Sequence, residues 1–383
     1  MYHAAWRRLV VARRLVVRRL GRDNRQRGRH ADAAQRTMMS ETRRIEHADL
    51  ERFIRGALLA AGAPAHVAEV EAQIAAEVDL CGVHSHGVRM LPGTVENVRE
   101  GAVDAAPELK TLAEYPASVL AEANLGIGRY TSAMAMDMAV ERARDCGIGM
   151  VTVRGVGHWG RAHSYCLRAA RAGVVSLAFT NTIALFSPTV GGDAALGNNP
   201  MGIGFPADDP EQSVVLDMAM TQASVGKVAM AAMRGDAADP DWGLDGDGNP
   251  TTDARQIMDS RAFLPMGGHK GSGLSFMIDL LTAGLANGLL CFEQGSEGRP
   301  SDSTGGSTKT FIAIRPFGDW LGERAAAFKA RFSAAGDGAR WPGEGSYQRR
   351  LDYLERGIEL LPPIVEGMEG VSADLHVAIR WRD

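Results

Sequence analysis

The chain has 383 residues, 45% apolar and 23% charged, a balance that excludes a disordered or fibrous protein and fits one large or two ordinary globular domains. The net charge of −4 is uneven: residues 1–38 carry eleven arginines against Asp23 and Asp32, or +9, so the rest carries −13 and is a poor nucleic-acid binder. Cys81, Cys146, Cys166 and Cys291 form no C-x-x-C pair, which argues against a disulfide or zinc framework and for reduced thiols in the cytoplasm.

Residues 1–39 are a basic N-terminal extension, read as a disordered tail or a start-site artefact with translation beginning at Met38 or Met39. Its amphipathic opening also fits a targeting presequence or a membrane-surface helix. From Ser40 the pattern turns helical. Leu50, Phe53, Ile54, Ala57, Leu58 and Ala61 recur at helical spacing and Gly62 can end the helix. A second helix is predicted from Pro64 to about Leu80, closed by Gly82, so "CGVHSHGVRMLP" (Cys81–Pro92) lies just past a helix end. Such loops, held by a rigid element, often carry chemistry. "SVLAEANLGIGRYTSAMAMDMAVERARDCG" then reads as strand, Gly turn and helix, and the plan repeats with a strand over Met150–Val153 and a helix over Ala162–Ala172. "VVSLAFTNT" and "SVVLDMAMT" are further strands, and "LPMGGHKGSGLSFMIDLLTAGLANG" is a Gly loop feeding a long helix. The apolar run Phe276–Phe292 is broken by Asp279 and Asn287, so it reads as a buried helix and not a membrane span. "TKTFIAIRP" is a late strand, two amphipathic helices follow, and "ADLHVAIRW" is expected as a final short strand. The class is mixed α/β with helical ends.

Five stretches carry candidate chemistry. "GVGHWG" (Gly155–Gly160) matches G-x-G-x-x-G between a strand and a helix, as in a dinucleotide-binding turn. The acid expected at the end of the next strand is missing, because Thr180, Asn181 and Thr182 stand there, which argues against a regular Rossmann fold. In "HSHG", His84 and His86 alternate as on a strand, and a metal there needs further ligands from afar, such as His158, His163 or His269. A polar turn is the bland alternative. Acid–base chemistry is favoured, because Ser85 can orient the His86 imidazole. "ALGNNPMGIGFPADD" offers the paired amides Asn198 and Asn199. Asp217 at a strand end either caps a helix or holds a histidine in one tautomer. "GGHKGSG" supplies Lys270 and exposed N–H groups at a helix start.

In order and separation, H-S-H-G-V, G-H-W-G, G-N-N-P-M-G, L-D-M-A and G-G-H-K-G-S-G resemble the malate/L-lactate dehydrogenase family, the type-2 lactate/malate dehydrogenases. The likeness runs from about Ile45 to the C-terminus, and "DWGLDGDGNPTTD" resembles the family's lid-proximal segment. Relatives include ureidoglycolate, sulfolactate and diketogulonate dehydrogenases or reductases and a cyclic-imine reductase. The resemblance implies a non-Rossmann mixed β-sheet cofactor domain (118–315) with a helical domain built from both chain ends (40–117 plus 316–383). It implies NAD- or NADP-dependent interconversion of a small 2-hydroxy acid and its 2-oxo acid, in a homodimer that uses neither membrane nor nucleic acid. On this resemblance His86 is the proton donor/acceptor, Ser85 its relay neighbour, Asp217 the acid completing the relay, and His158 a second active-site histidine near substrate or nicotinamide. Arg89 is the candidate for the substrate carboxylate. His158, Trp159, Gly160, Asn198, Asn199, Pro200, Asp217, Met218, Ala219, His269, Lys270 and Gly271 are the candidate cofactor contacts. The chain departs from the family at Gly155 and Val156, where Asn-Ser is frequent, at Thr94, where tyrosine is common, and at Met90, with Arg89 displaced by one. These departures bear on the carboxylate clamp. The alternative reading is a metal-dependent hydrolase using His84, His86 and His158. An RNA-associated protein acting through the arginine-rich end is a third.

Overall fold

The computed structural model describes residues 42–188, 192–296 and 298–382; the basic extension of the sequence, and the readings attached to it, lie outside them. The chain opens with β1 (Arg43–Ile45), α1 (His47–Ala60), α2 (Ala65–Leu80) and α3 (Leu91–Arg99). It continues through β2 (Lys110–Tyr115), β3 (Ser118–Gly126), α4 (Gly128–Cys146), β4 (Ile148–Val156), α5 (Ala162–Arg171) and β5 (Val175–Thr180). Next come β6 (Ala184–Phe186), β7 (Leu196–Gly197), β8 (Met201–Phe205), β9 (Val214–Met218), α6 (Val225–Arg234) and β10 (Gly243–Leu244). α7 (Ala254–Ser260), β11 (Ala262–Phe263), α8 (His269–Asp279), β12 (Ser307–Ile314), α9 (Leu321–Ser333), α10 (Glu344–Arg356), β13 (Ile358–Leu360) and α11 (Pro362–Leu375) complete it.

The main sheet has seven strands in the order β2-β3-β4-β12-β5-β8-β9. Only β3 and β4 pair in parallel, joined through α4; the other neighbours are antiparallel. This is a mixed sheet, and it differs from the parallel doubly wound sheet of a Rossmann domain. The late strand β12 sits in the middle, between β4 and β5, and is buried along most of its length. Alternation in β3 turns Val119, Ala121 and Ala123 inward, where they meet Val151, Val153, Met136, Tyr165 and Phe311 in one apolar cluster.

A second cluster joins the two chain ends. Leu50, Phe53, Ile54 and Leu58 of α1 pack with Leu80, Leu91, Ile358, Leu360, Ile364 and Met368. β1 pairs antiparallel with β13, which ties the N-terminal helices to the C-terminal ones. The helical part is therefore built from both ends of the chain, as expected. A third cluster, including Phe186, Val228, Trp242, Ile257 and Phe263, backs α6 and α7.

Two local expectations are corrected. The C-terminal stretch does not form a final strand: α11 runs to Leu375 and ends at His376 in the left-handed conformation (φ 55°), with only an isolated bridge from Arg382 to Arg44. The run after Phe276 is helical through α8 and a π turn (Leu280–Gly284), but it is not buried within this chain. Phe276, Met277, Leu280, Leu281, Leu285 and Phe292 are 43–60% exposed. Only the opposite side is anchored: the buried Asp279 accepts from the Asn181 amide (2.9 Å) and the Cys291 N–H (3.2 Å).

Candidate active site

The H-S-H-G segment follows α2 directly. Gly82, at φ 75°, turns the chain, and two short 3-10 turns carry His84–His86 and Val88–Met90. His84 and His86 thus do not alternate as on a strand. The fully buried Asp79 organises this loop, with one carboxylate oxygen 2.9 Å from His84 Nδ1 and the other accepting the Val88 N–H at 2.6 Å. His84 Nε2 lies 3.4 Å from the Tyr353 hydroxyl on α10. Removing the carboxylate strands two buried polar partners, at a cost of about 1–3 kcal/mol each.

His86 is held differently. Its Nδ1 is 2.8 Å from Ser85 Oγ, so Nε2 is the nitrogen available to the cavity. Its carbonyl accepts from Arg129 at 2.9 Å, and Arg129 is itself paired with the buried Glu71. The His158 ring stacks on His86 with centroids 5.7 Å apart. His158 Nδ1 accepts the Gly160 N–H (3.1 Å), which places the proton of its neutral form on Nε2. Burial holds His86 down at about 4, opposed by the nearby Asp217 carboxylate. Burial pushes His158 well below the ordinary imidazole value, and the His86, Arg129 and Lys309 charges act in the same direction. Both imidazoles are neutral at neutral pH.

His86 borders a cavity of about 380 Å³. Ser85 and His86 form one side, Gly160, Arg161 and Ala162 another, and Asn198, Pro200 and Asp217–Ala219 a third. α6 closes the fourth with Ser224, Lys227, Met230 and Arg234. Its first turn comes so close that a Cβ on Gly226 would lie 2.7 Å from Ser85 Oγ and 2.8 Å from His86 Cε1. On the far side Gly128 is equally obligatory, since a Cβ there would lie 2.1 Å from the His158 carbonyl oxygen.

Several sequence-predicted residues meet here: Ser85, His86, Gly160, Asn198, Pro200, Asp217, Met218 and Ala219 all line the cavity, with His158 behind His86. Others stand elsewhere. Asp217 makes no hydrogen bond to His86; it pairs with Arg161 (2.7 Å) and reaches the imidazole only through its charge. Arg89 does not border the cavity and points back to the Ser85 carbonyl at 3.5 Å. Trp159 is buried, stacked on Tyr165 (5.2 Å) and packed against Phe311, so it belongs to the sheet core. Asn199 is fully buried, accepting the Thr182 N–H and donating to the Ser275 carbonyl, which makes it a brace between loops. His269 and Lys270 are exposed at the start of α8, outside the cavity, and Gly271 packs against Met220 and Met266.

Arg161 was not singled out from sequence. Its Nε is bound to Asp217, while its buried Nη1 has no hydrogen-bond partner. The available signal was its place immediately after G-H-W-G. Lys227 and Arg234 were also missed, because no motif marks them in the sequence.

Among the described residues, no group of three or more His, Cys, Asp or Glu is placed to hold a metal ion. His84 Nδ1 is already engaged by Asp79, and nothing supports the hydrolase reading. The cavity does fit a nicotinamide-type group. Met218, Ala219, Met230 and Pro200 offer an apolar surface for a planar ring, Asn198 an amide partner, and Arg161 a positive charge on the wall.

Residues 45–369 match the model of the family described as malate/L-lactate dehydrogenase. A malate dehydrogenase of Pyrococcus horikoshii is 33% identical over 252 residues, 64% of this chain and 69% of that protein. A Δ1-pyrroline-2-carboxylate/Δ1-piperideine-2-carboxylate reductase of Pseudomonas putida is 30% identical over 85% of this chain and 96% of its own. The solved Δ1-piperideine-2-carboxylate reductase of Pseudomonas syringae superposes with a TM-score of 0.77 at 28% identity, covering 86% of this chain and 100% of that one. A family match over most of the chain and a shared mixed-sheet fold, with the cavity at four of the five motifs that first suggested the likeness, make this chain a member of the malate/L-lactate dehydrogenase family of oxidoreductases.

Proposed function

We propose that the chain is an NAD(P)-dependent 2-hydroxyacid dehydrogenase, working in reverse as a 2-oxo acid reductase, with a small malate- or lactate-like substrate. The observation that carries this reading is the Ser85–His86 pair on the wall of a cavity that the Arg161 guanidinium also lines. The nicotinamide, when bound, supplies or accepts the hydride. The residues on the cavity wall supply the rest. His86 Nε2 takes the hydroxyl proton as the alcohol is oxidised and returns it as the carbonyl is reduced. The Ser85 hydroxyl both donates and accepts, so it supports Nδ1 in either tautomer. The Arg161 guanidinium receives the substrate carboxylate while its Nε stays on Asp217, a role in which it replaces Arg89. Met218, Ala219 and Met230 keep water from the reacting carbon.

A homodimer fits the exposed apolar face of α8 and the π turn, which a second copy would cover. Light scattering tests it: Phe276→Glu is expected to leave a monomer, and an unchanged wild-type monomer would dismiss the idea. No described helix is long and apolar enough to cross a membrane. The activity is tested with a panel of 2-oxo acids and cyclic imino acids against NADH and NADPH, followed by absorbance loss. Turnover of a 2-oxo acid is expected; turnover of cyclic imines alone would replace this reading with imine reduction.

A further inference from the structure

Lys309 is an unusual residue for the middle of a sheet. It lies on β12 between β4 and β5, fully buried. Central strands exclude unpaired charge, because desolvating an ammonium is costly unless its protons are satisfied. Here the ammonium reaches past the bulge at Ser307–Lys309 and donates to the carbonyl oxygens of Gly157 (2.8 Å) and Val156 (3.3 Å). These are the two peptide units immediately before His158. The same nitrogen stands 5.9 Å from the Trp159 ring, just after His158. One buried cation therefore holds the two carbonyls before the histidine that stacks on His86 and stands near the ring after it.

We infer that Lys309 is a positioning residue for the reaction: its ammonium clamps the turn at residues 156–157 and so fixes the His158 ring against His86. This inference rests on the proposed dehydrogenase chemistry for its kinetic consequences, but the clamp itself is independent of substrate.

The charged groups around the pair are few. Asp302 faces Lys309 from the turn before β12, and His86 and Arg129 of α4 face His158 together with Lys309. Burial lowers Lys309 to about 7, with the Asp302 carboxylate opposing. Protonated, the lysine is a charged donor; as pH rises through this range it becomes a neutral amine and holds the carbonyls less firmly. The clamp is thus strongest below neutrality and relaxes above it.

The test compares wild type with Lys309→Met, which keeps the length and loses the charge. Turnover is expected to fall about 10- to 100-fold, as for a displaced catalytic neighbour, with NADH affinity within twofold. A fall in kcat above about pH 7 is expected in wild type and is expected to be absent in the variant. Carbon-13-labelled histidine gives a readout free of activity: the His158 signal moves through that range in wild type and stays still in Lys309→Met. If no 2-oxo acid is turned over, the functional proposal fails while this signal still tests the clamp. Should Lys309→Met not fold, Asp302→Asn serves, because removing the opposing carboxylate must move the transition to lower pH. Identical His158 titrations in wild type and Lys309→Met, or no shift in Asp302→Asn, would overturn the inference.

Discussion

Gly226→Ala isolates the closest contact in the site. The residue lies in the first turn of α6, and the added methyl would stand 2.7 Å from Ser85 Oγ and 2.8 Å from both Ser85 Cβ and His86 Cε1. Ordinary carbon contacts are about 3.5–4.0 Å, so the side chains must retreat by roughly 1 Å. A displacement of that size at a reacting group costs about 100-fold in rate. Helix propensity acts the other way, since alanine exceeds glycine by up to about 1 kcal/mol within a helix. The expected phenotype is therefore specific: kcat/KM for the best 2-oxo acid falls about 100-fold, while the melting temperature changes by only a few degrees. Steady-state kinetics and thermal unfolding measured on the same preparation decide it. Wild-type kcat/KM in a well-folded Gly226→Ala would refute the placement of His86 against α6.

Other consequences are testable in the same way. Arg161→Met is expected to raise KM for the oxo acid about 100-fold with little change in cofactor affinity, whereas Arg89→Met leaves KM near wild type; the opposite pattern would restore Arg89 as the clamp. Acid sensitivity follows from the buried imidazole. His86 titrates near 6.5 unfolded and about 4 folded, so its contribution is complete above 6.5 and is lost as pH falls toward 4. At pH 5 this amounts to ~1–2 kcal/mol, read as the extra stability lost by wild type relative to His86→Gln in urea titrations. Equal losses in both proteins would contradict the burial argument. The same depression predicts that His86 itself adds no transition to alcohol oxidation through neutral pH, because it is already the free base there, and that its own limb appears only near pH 4.

Much of this was legible in the chain, for reasons that can be named. The Gly-rich turn at Gly155–Gly160 showed where a strand hands over to a helix, and the absent acid after VVSLAFTNT pointed away from a Rossmann sheet, as the antiparallel pairings of β12 with β4 and β5 bear out. The position of H-S-H-G past a helix end was likewise readable from Leu80 and Gly82. What remained hidden depends on distant packing. α6 turns three of its side chains to the cavity, yet Lys227 and Arg234 give no local sign of a neighbour more than 130 residues upstream. Asp217 suggested a histidine partner, but Arg161 occupies it instead. Trp159 and Asn199 sit inside motifs and still serve the core, because neighbours in sequence on a tight turn face opposite ways. The His84/His86 alternation failed because 3-10 turns, not a strand, follow Gly82.

The central claim is that proton transfer runs through His86, and single-turnover reduction of a 2-oxo acid by wild type and His86→Ala tests it most directly. Loss of about 10²- to 10⁴-fold in rate with NADH or NADPH binding intact is the expected result. A variant that binds cofactor and reduces the oxo acid at close to the wild-type rate would contradict it.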